Sequence, residues 1–306
     1  FQIWLSLHII LAVGVVVGLI LHGVSEAYFI AVWWGLDLLV RYGIQAVCRY
    51  RTRARFRRIA DGERDTHEPA VEISFPKPAG FDYNAGQFVQ IAVPKLSLEF
   101  HPVTISSAPH EDNVTLHVRR LGDWTAKLLA LTDCNEQILL EGPYGASSVD
   151  LDDDERYPVA LFVSGGIGVT PCQSIGKHLI HQHRAHGRKL EYMEFVWAVR
   201  HISMVQDIPP LTTKTEDCKD GKVRVDIYCT RQDEEDDDAF SNPNFNLHYG
   251  PNYNLHYGRP DLETTFERMK SIALKRKVYS IAVFGCGPKP LMNDLATACR
   301  KHSESV

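Results

Sequence analysis

The chain has 306 residues, 44% of them hydrophobic and 23% charged, with a formal net charge of -5. These values exclude a disordered low-complexity chain and provide no basic excess for nucleic acid. Seven cysteines, at positions 48, 134, 172, 218, 229, 286 and 299, form no C-x-x-C pair or metal-ligand spacing, so they suggest no zinc or iron–sulfur centre and fit a reduced compartment.

The run from Ile3 to Leu21 carries no formal charge and is long enough to cross a bilayer. His8 lies near its start and His22 at its end. On one helix they stand about 21 Å apart and within about 40° of one face. Histidines in such a segment call for a partner, and these residues alone fit two interfacial imidazoles as well as two stacked haems. A second apolar stretch, Ala27 to Val47, is broken by Asp37 and Arg41 and separated from the first by Gly23 to Glu26, so the pair reads as a transmembrane helical hairpin. Trp33 and Trp34 suit an interfacial belt, and Arg49, Arg51, Arg53, Arg55, Arg57 and Arg58 mark the cytoplasmic end. With Phe1 already near the membrane, the chain reads as a fragment, and histidines opposing His8 and His22 belong on upstream transmembrane helices that it lacks.

Short alternating runs follow, at Ala70 to Phe75, Gln87 to Val93, Val114 to Arg119 and Gln137 to Leu140, separated by Gly and Pro turn signals. They predict a small antiparallel β-barrel. From Pro158 the pattern becomes strand, glycine turn, helix and strand, over Pro158 to Val163, Thr170 to Gln182 and Glu191 to Val199, a βαβ unit with a parallel sheet. The expected organisation is a membrane hairpin at 1–48, a β-barrel domain at 49–150 and an α/β domain at 151–306.

The turn Gly165-Gly166-Ile167-Gly168-Val169-Thr170-Pro171 joins that first strand to its helix, where glycines permit close approach of a pyrophosphate to free N–H groups. Alone it is a weak signal. Around it stand, in order, His101-Pro102-Val103-Thr104-Ile105-Ser106-Ser107, Gly122-Asp123-Trp124-Thr125, Gly142-Pro143-Tyr144-Gly145 and, after the glycine turn, Cys286-Gly287-Pro288. Five motifs in this order resemble the ferric reductase and NADPH oxidase superfamily, and the phrases Pro94 to Leu98 and Gly258 to Leu262 resemble its fungal-type ferric reductases most.

The resemblance implies a ferredoxin-reductase-like module with bound FAD and NADPH, and two b haems shared with the upstream helices. His101, Pro102, Val103, Thr104, Ile105, Ser106, Ser107 and His117 would line the flavin, and Arg119 with Gly122, Trp124 and Thr125 its pyrophosphate. Gly165 to Pro171 would hold the NADPH pyrophosphate. Arg200 follows the second strand of this domain where an NAD-preferring site often has an acid, so NADPH is favoured over NADH. Cys286, Gly287 and Pro288 would position the nicotinamide, the thiol without covalent chemistry. His8 would ligate the inner haem and His22 the outer one.

The activity so implied is electron transfer from cytosolic NADPH through FAD and two haems to ferric or cupric chelates across the membrane, by default the plasma membrane. Two alternatives stand beside it: an NADPH oxidase that makes superoxide from dioxygen, and a haem-free, membrane-anchored FAD/NADPH reductase serving a partner protein. An insertion near 231–257 holds the acidic block 233–238 and a duplication, Asn244 to Pro251 and then Asn252 to Gly258. His248 and His256 within it invite a metal reading, but a disordered surface loop is the better expectation. The chain ends at Val306 without the aromatic terminus that covers the flavin in some relatives.

Overall fold

A computed structural model describes residues 2–44, 49–59, 69–131, 133–146, 149–150, 153–202, 204–205, 208, 221–231 and 253–303. They fall into two compact units, Phe1–Tyr50 and Arg51–Val306.

In the first unit α1 (Gln2–Leu21) is 20 residues long, with no acid in its first turn and no base in its last. A turn with Gly23 at φ +77° leads to α2 (Glu26–Leu38), which continues into one π-helical turn, Leu39–Ile44. Trp4, Leu7, Ile10, Leu11, Phe29 and Trp33 are exposed, so apolar groups surround the helices rather than forming a single stripe. Among the described residues no helix is long and apolar enough to cross a membrane; the side chains at 2, 3, 5 and 6 lie outside that description. Of the second expected span, residues 45–48 are likewise outside it.

The second unit begins with an antiparallel six-stranded sheet in the order β4-β3-β6-β1-β2-β5. Its strands are β1 (Tyr50–Ile59), β2 (Ala70–Pro76), β3 (Phe88–Val93), β4 (Ser97–Thr104), β5 (Asn113–Arg119) and β6 (Asn135–Tyr144), with α3 (Asp123–Leu129) after β5. The arginines from Arg51 to Arg58 lie on β1. Arg51, Arg53 and Arg55 face solvent while Ala54 and Phe56 are buried between them, the period of two that a half-buried strand imposes. Phe56, Ile73, Phe75, Ile91, Leu116 and Leu140 fill the barrel.

Next comes a parallel five-stranded sheet in the order β10-β9-β8-β7-β11, built from β7 (Val159–Gly165), β8 (Tyr192–Val199), β9 (Val223–Cys229), β10 (Tyr253–Tyr257) and β11 (Ala282–Cys286). Every residue of β7 is buried, because helices cover both faces. Val169, Cys172, Ile175 and Leu179 of α4 (Val169–His186) pack with Ala160 and Phe162 on one side. Phe266 and Met269 of α5 (Leu262–Lys275) and Leu295 of α6 (Lys289–Ser303) pack with Val159, Leu161 and Val163 on the other.

The duplicated insertion is in part a strand. Residues 253–257, within the second copy, form β10 at the sheet edge, in register with Val225–Cys229. This corrects the expectation of a disordered loop. Asn254 Nδ2 donates to the buried Asp226 carboxylate at 3.0 Å, and His256 Nε2 lies 2.8 Å from the same oxygen. His256 thus serves a carboxylate, and among the described residues no group of His, Cys, Asp or Glu is placed to hold a metal. The acidic block, the first copy and His248 lie outside the described residues.

Candidate functional site

The motif His101 to Ser107 runs from β4 into the barrel interior. The His101 ring stacks on Trp124 at 3.9 Å between centroids. His101 Nε2 and Trp124 Nε1 are both buried and find no hydrogen-bond partner among the described residues. Buried polar atoms normally have partners, so this aromatic pair suits a flat ligand that brings its own acceptors. Thr104 is half-buried, Pro102 exposed, and Val103 and Ile105 are buried.

Ser106, Ser107 and His117 are occupied differently from the other motif residues. Ser106 Oγ donates to the Thr115 carbonyl at 2.7 Å and lies 2.8 Å from His117 Nδ1. Ser107 Oγ accepts from Thr115 N–H at 3.0 Å. The other nitrogen of His117 faces Glu72 at 3.7 Å, and Glu72 is bound by Arg57 at 2.8 Å. Burial lowers the His117 pKa despite that carboxylate, which keeps the ring neutral at neutral pH. These three polar groups brace the motif within the barrel.

Arg119 ends β5, and the turn after it is closed by Thr125, whose Oγ1 accepts from Leu121 N–H at 2.8 Å and Gly122 N–H at 2.9 Å and donates to Gly122 O. Arg119 lines a cavity of about 730 Å³ together with Gly165, Gly166, Ile167, Gly168, Arg200, Cys286, Gly287 and Pro288. Residues from both domains therefore meet in one cleft at the carboxyl edge of the parallel sheet, where ligands bind in open α/β folds.

Three glycines let the two loops of the α/β domain close on each other. A Cβ at Gly168 would stand 2.5 Å from the Cys286 carbonyl oxygen, one at Gly165 2.6 Å from Pro288 Cδ, and one at Gly287 2.9 Å from Gly165 N. Gly166, at φ +54°, has nothing within 4 Å of its missing side chain, which leaves the cleft open there. Val169 is core, and Thr170 Oγ1 donates back to the Ile167 carbonyl at 3.2 Å. Pro171 is half-buried on the first turn of α4. Burial pushes the Cys286 thiol pKa up, so it stays protonated and unreactive at neutral pH.

Two cleft arginines are absent from the sequence-derived set. Arg231 follows β9 as Arg200 follows β8, with Arg231 N–H donating to the Arg200 carbonyl at 3.3 Å, and Arg259 follows β10. With Arg119 and Arg200 they give the cleft four guanidinium groups, a donor set for a ligand with several phosphates. The signal that found Arg200, a cation just past a strand's carboxyl end, applies equally to Arg231.

In the first unit His8 is exposed and stacks on Trp4 at 5.3 Å. His22 is exposed one residue past α1, its N–H still donating to the Gly18 carbonyl at 3.0 Å, so helical geometry reaches it.

Barrel, parallel sheet and shared cleft define a two-domain module with a ferredoxin-reductase-like fold. Residues 64–148 match an FAD-binding domain family and residues 157–300 match the ferric reductase NAD binding domain family. Dual oxidase 1 of Canis lupus familiaris is 31% identical over 253 residues, 75% of this chain and 16% of the relative. NADPH oxidase 3 of Homo sapiens is 30% identical over 294 residues, 89% of this chain and 50% of the relative. The chain belongs to the ferric reductase and NADPH oxidase superfamily, and it spans half or less of these relatives' lengths. A ferredoxin NADP+ reductase from Neisseria gonorrhoeae with bound FAD and NADP shares the fold at TM-score 0.54 and 13% identity, over 82% of this chain and 91% of that one. A flavohemoglobin from Malassezia yamatoensis does so at TM-score 0.51 and 18% identity, over 91% and 65%.

Proposed function

We propose that the chain is the electron-input end of a membrane NADPH oxidase: it takes electrons from NADPH on the cytosolic side and passes them inward along His8 and His22 to dioxygen. The observation that carries this reading is the single cleft lined by Arg119 of the barrel and by both loops of the α/β domain. FAD, when bound, supplies the ability to accept two electrons together and release them singly.

The chain's own residues then have defined tasks. His101 and Trp124 would present a flat aromatic surface and two unspent ring nitrogens to the flavin. Arg119 would hold its pyrophosphate. Gly165 to Gly168 would admit the NADPH pyrophosphate, while Arg200, Arg231 and Arg259 neutralise its phosphates and favour NADPH over NADH. Cys286 to Pro288 wall the cleft and restrict water beside the nicotinamide. His8 and His22, with partners on upstream helices, would hold two b haems; both imidazoles are exposed and free of carboxylate partners among the described residues. The uncharged sequence run Ile3 to Leu21 supports a membrane span, and the arginines that follow the second apolar stretch support a cytosolic second unit.

Dioxygen is favoured over a ferric or cupric chelate because the relatives at about 30% identity are oxidases. The later of the phrases shared with fungal ferric reductases, Gly258 to Leu262, has local structural roles. Gly258 turns at φ +89°, and Asp261 caps α5 by accepting from Thr264 N–H at 3.2 Å. Neither role selects an acceptor.

The test is the full-length membrane protein, loaded with FAD and haem and given NADPH. Superoxide formation in excess of ferric-chelate reduction, abolished by His8→Ala with His22→Ala, supports the reading. Chelate reduction without superoxide restores the ferric reductase assignment, and a double variant equal to wild type identifies a haem-free anchored reductase.

A further inference from the structure

Helix α4 leaves the glycine loop and lies along the barrel on one stripe, with Ser174, Lys177 and His181 at helical spacing. Lys177 pairs with Glu111 at 3.2 Å, and the His181 ring stacks on His110. Ser174 is the buried member of the stripe, at 0% exposure. Its Oγ donates to the Ser107 carbonyl at 2.7 Å and accepts from Gly86 N–H at 3.3 Å. A hydroxyl has one hydrogen to give, and here it goes to the last residue of the His101 to Ser107 motif.

Both ends of this tie are stiff. Ser107 is held by Thr115 N–H on its own hydroxyl, and Tyr83 Oη donates to the next carbonyl, that of Ala108, at 2.9 Å. Gly86 turns at φ +85°, and a Cβ there would sit 2.9 Å from Ile175 Cδ1, so barrel backbone touches the helix beside Ser174. From Ser174 the same helix runs back to Val169 and the loop Gly165–Gly168.

We propose that Ser174 is a positioning residue for hydride transfer. Its hydroxyl fixes the strand that carries the flavin-facing motif to the helix that carries the nucleotide loop, and so sets the approach of the two bound ligands. The inference rests on the FAD and NADPH reading above. Misplacing reacting groups by about 1 Å costs on the order of 100-fold in rate, and the remaining contacts of the stripe are a surface ion pair and a ring stack that tolerate sliding.

The experiment uses the FAD-loaded full chain with Ser174→Ala and Ser174→Thr. Measured are the dissociation constants of FAD and NADP+, the long-wavelength absorbance that appears when nicotinamide lies against flavin, and the anaerobic single-turnover rate of flavin bleaching by NADPH. Expected for Ser174→Ala are both dissociation constants within about twofold of wild type, loss of most of the long-wavelength absorbance, and bleaching slowed about 10- to 100-fold. Ser174→Thr, which keeps the hydroxyl, regains most of both signals. Ser174→Cys keeps the volume and weakens the donor, and gives the same result at smaller amplitude if the alanine variant fails to fold. Absorbance and rate equal to wild type in Ser174→Ala, with both ligands bound, overturn the proposal alone. A wild-type chain that binds neither ligand overturns the functional reading and this proposal with it.

Discussion

The imidazole rings of His110 and His181 stack at 3.7 Å, 8° from parallel, across the junction between barrel and α4. Partial burial, then the neighbouring His181, His178, Lys177 and Lys77, lower the His110 pKa from 6.5 to about 4. Between those values the unfolded chain binds more protons, so the stability contributed by the neutral ring is complete above pH 6.5 and is lost as pH falls toward 4. The thermal midpoint should therefore drop over this interval, and His110→Gln should drop less. Superimposable profiles would contradict the assignment.

Glu72 links β1 to β5. Burial acts to raise its pKa, but the neighbouring His117 ring and the bidentate bond from Arg57 prevail and lower it to about 2. A depressed carboxylate contributes stability above its unfolded value of 4.5 and loses it as pH falls through 2. Glu72→Gln should cost about 1–3 kcal/mol at pH 7, with variant and wild type converging near pH 2, as read by denaturant melts.

Gly168 meets the Cys286 carbonyl where a Cβ would stand at 2.5 Å. Backbone cannot swing aside as a side chain does, so Gly168→Ala should destabilise by about 1–3 kcal/mol and push the two cleft loops apart. Gly166→Ala meets no neighbour, but its φ of +54° is strained for alanine. Its cost should be smaller, about 1 kcal/mol. Equal melting midpoints for Gly168→Ala and wild type would count against this packing.

Arg200 and Arg231 stand side by side past β8 and β9. Each charge-assisted bond is worth roughly 1.5–3 kcal/mol, so Arg200→Ala or Arg231→Ala should raise KM for NADPH at least about tenfold. KM for NADH should stay within about twofold. A parallel rise for both nucleotides would mean that these guanidiniums do not read the 2′-phosphate.

The sequence makes β2, β3 and β5 legible because their apolar residues alternate, and β7 because an uninterrupted apolar run meets a glycine turn. β1 is masked by its own exposed face, where one arginine after another hides the inward Ala54 and Phe56. β10 is hidden for a different reason. Its Asn254 and His256 are satisfied by Asp226, 28 and 30 residues away in sequence but adjacent in space, and no local pattern reports such a partner. In the motif His101 to Ser107 the sequence names the right segment but not which polar groups turn inward: Ser106 and Ser107 brace the barrel, whereas His101 keeps an unspent nitrogen. The Ser174 tie depends on two domains meeting, which neither segment encodes alone.

In the proposed function one cleft brings NADPH to FAD. Its most direct test is an anaerobic NADPH titration of the FAD-loaded chain followed by flavin absorbance, with Arg119→Ala alongside. Expected are stoichiometric bleaching in the wild type and, in Arg119→Ala, FAD affinity weakened about 10- to 100-fold. Flavin that stays bound and oxidised in the presence of excess NADPH would contradict it.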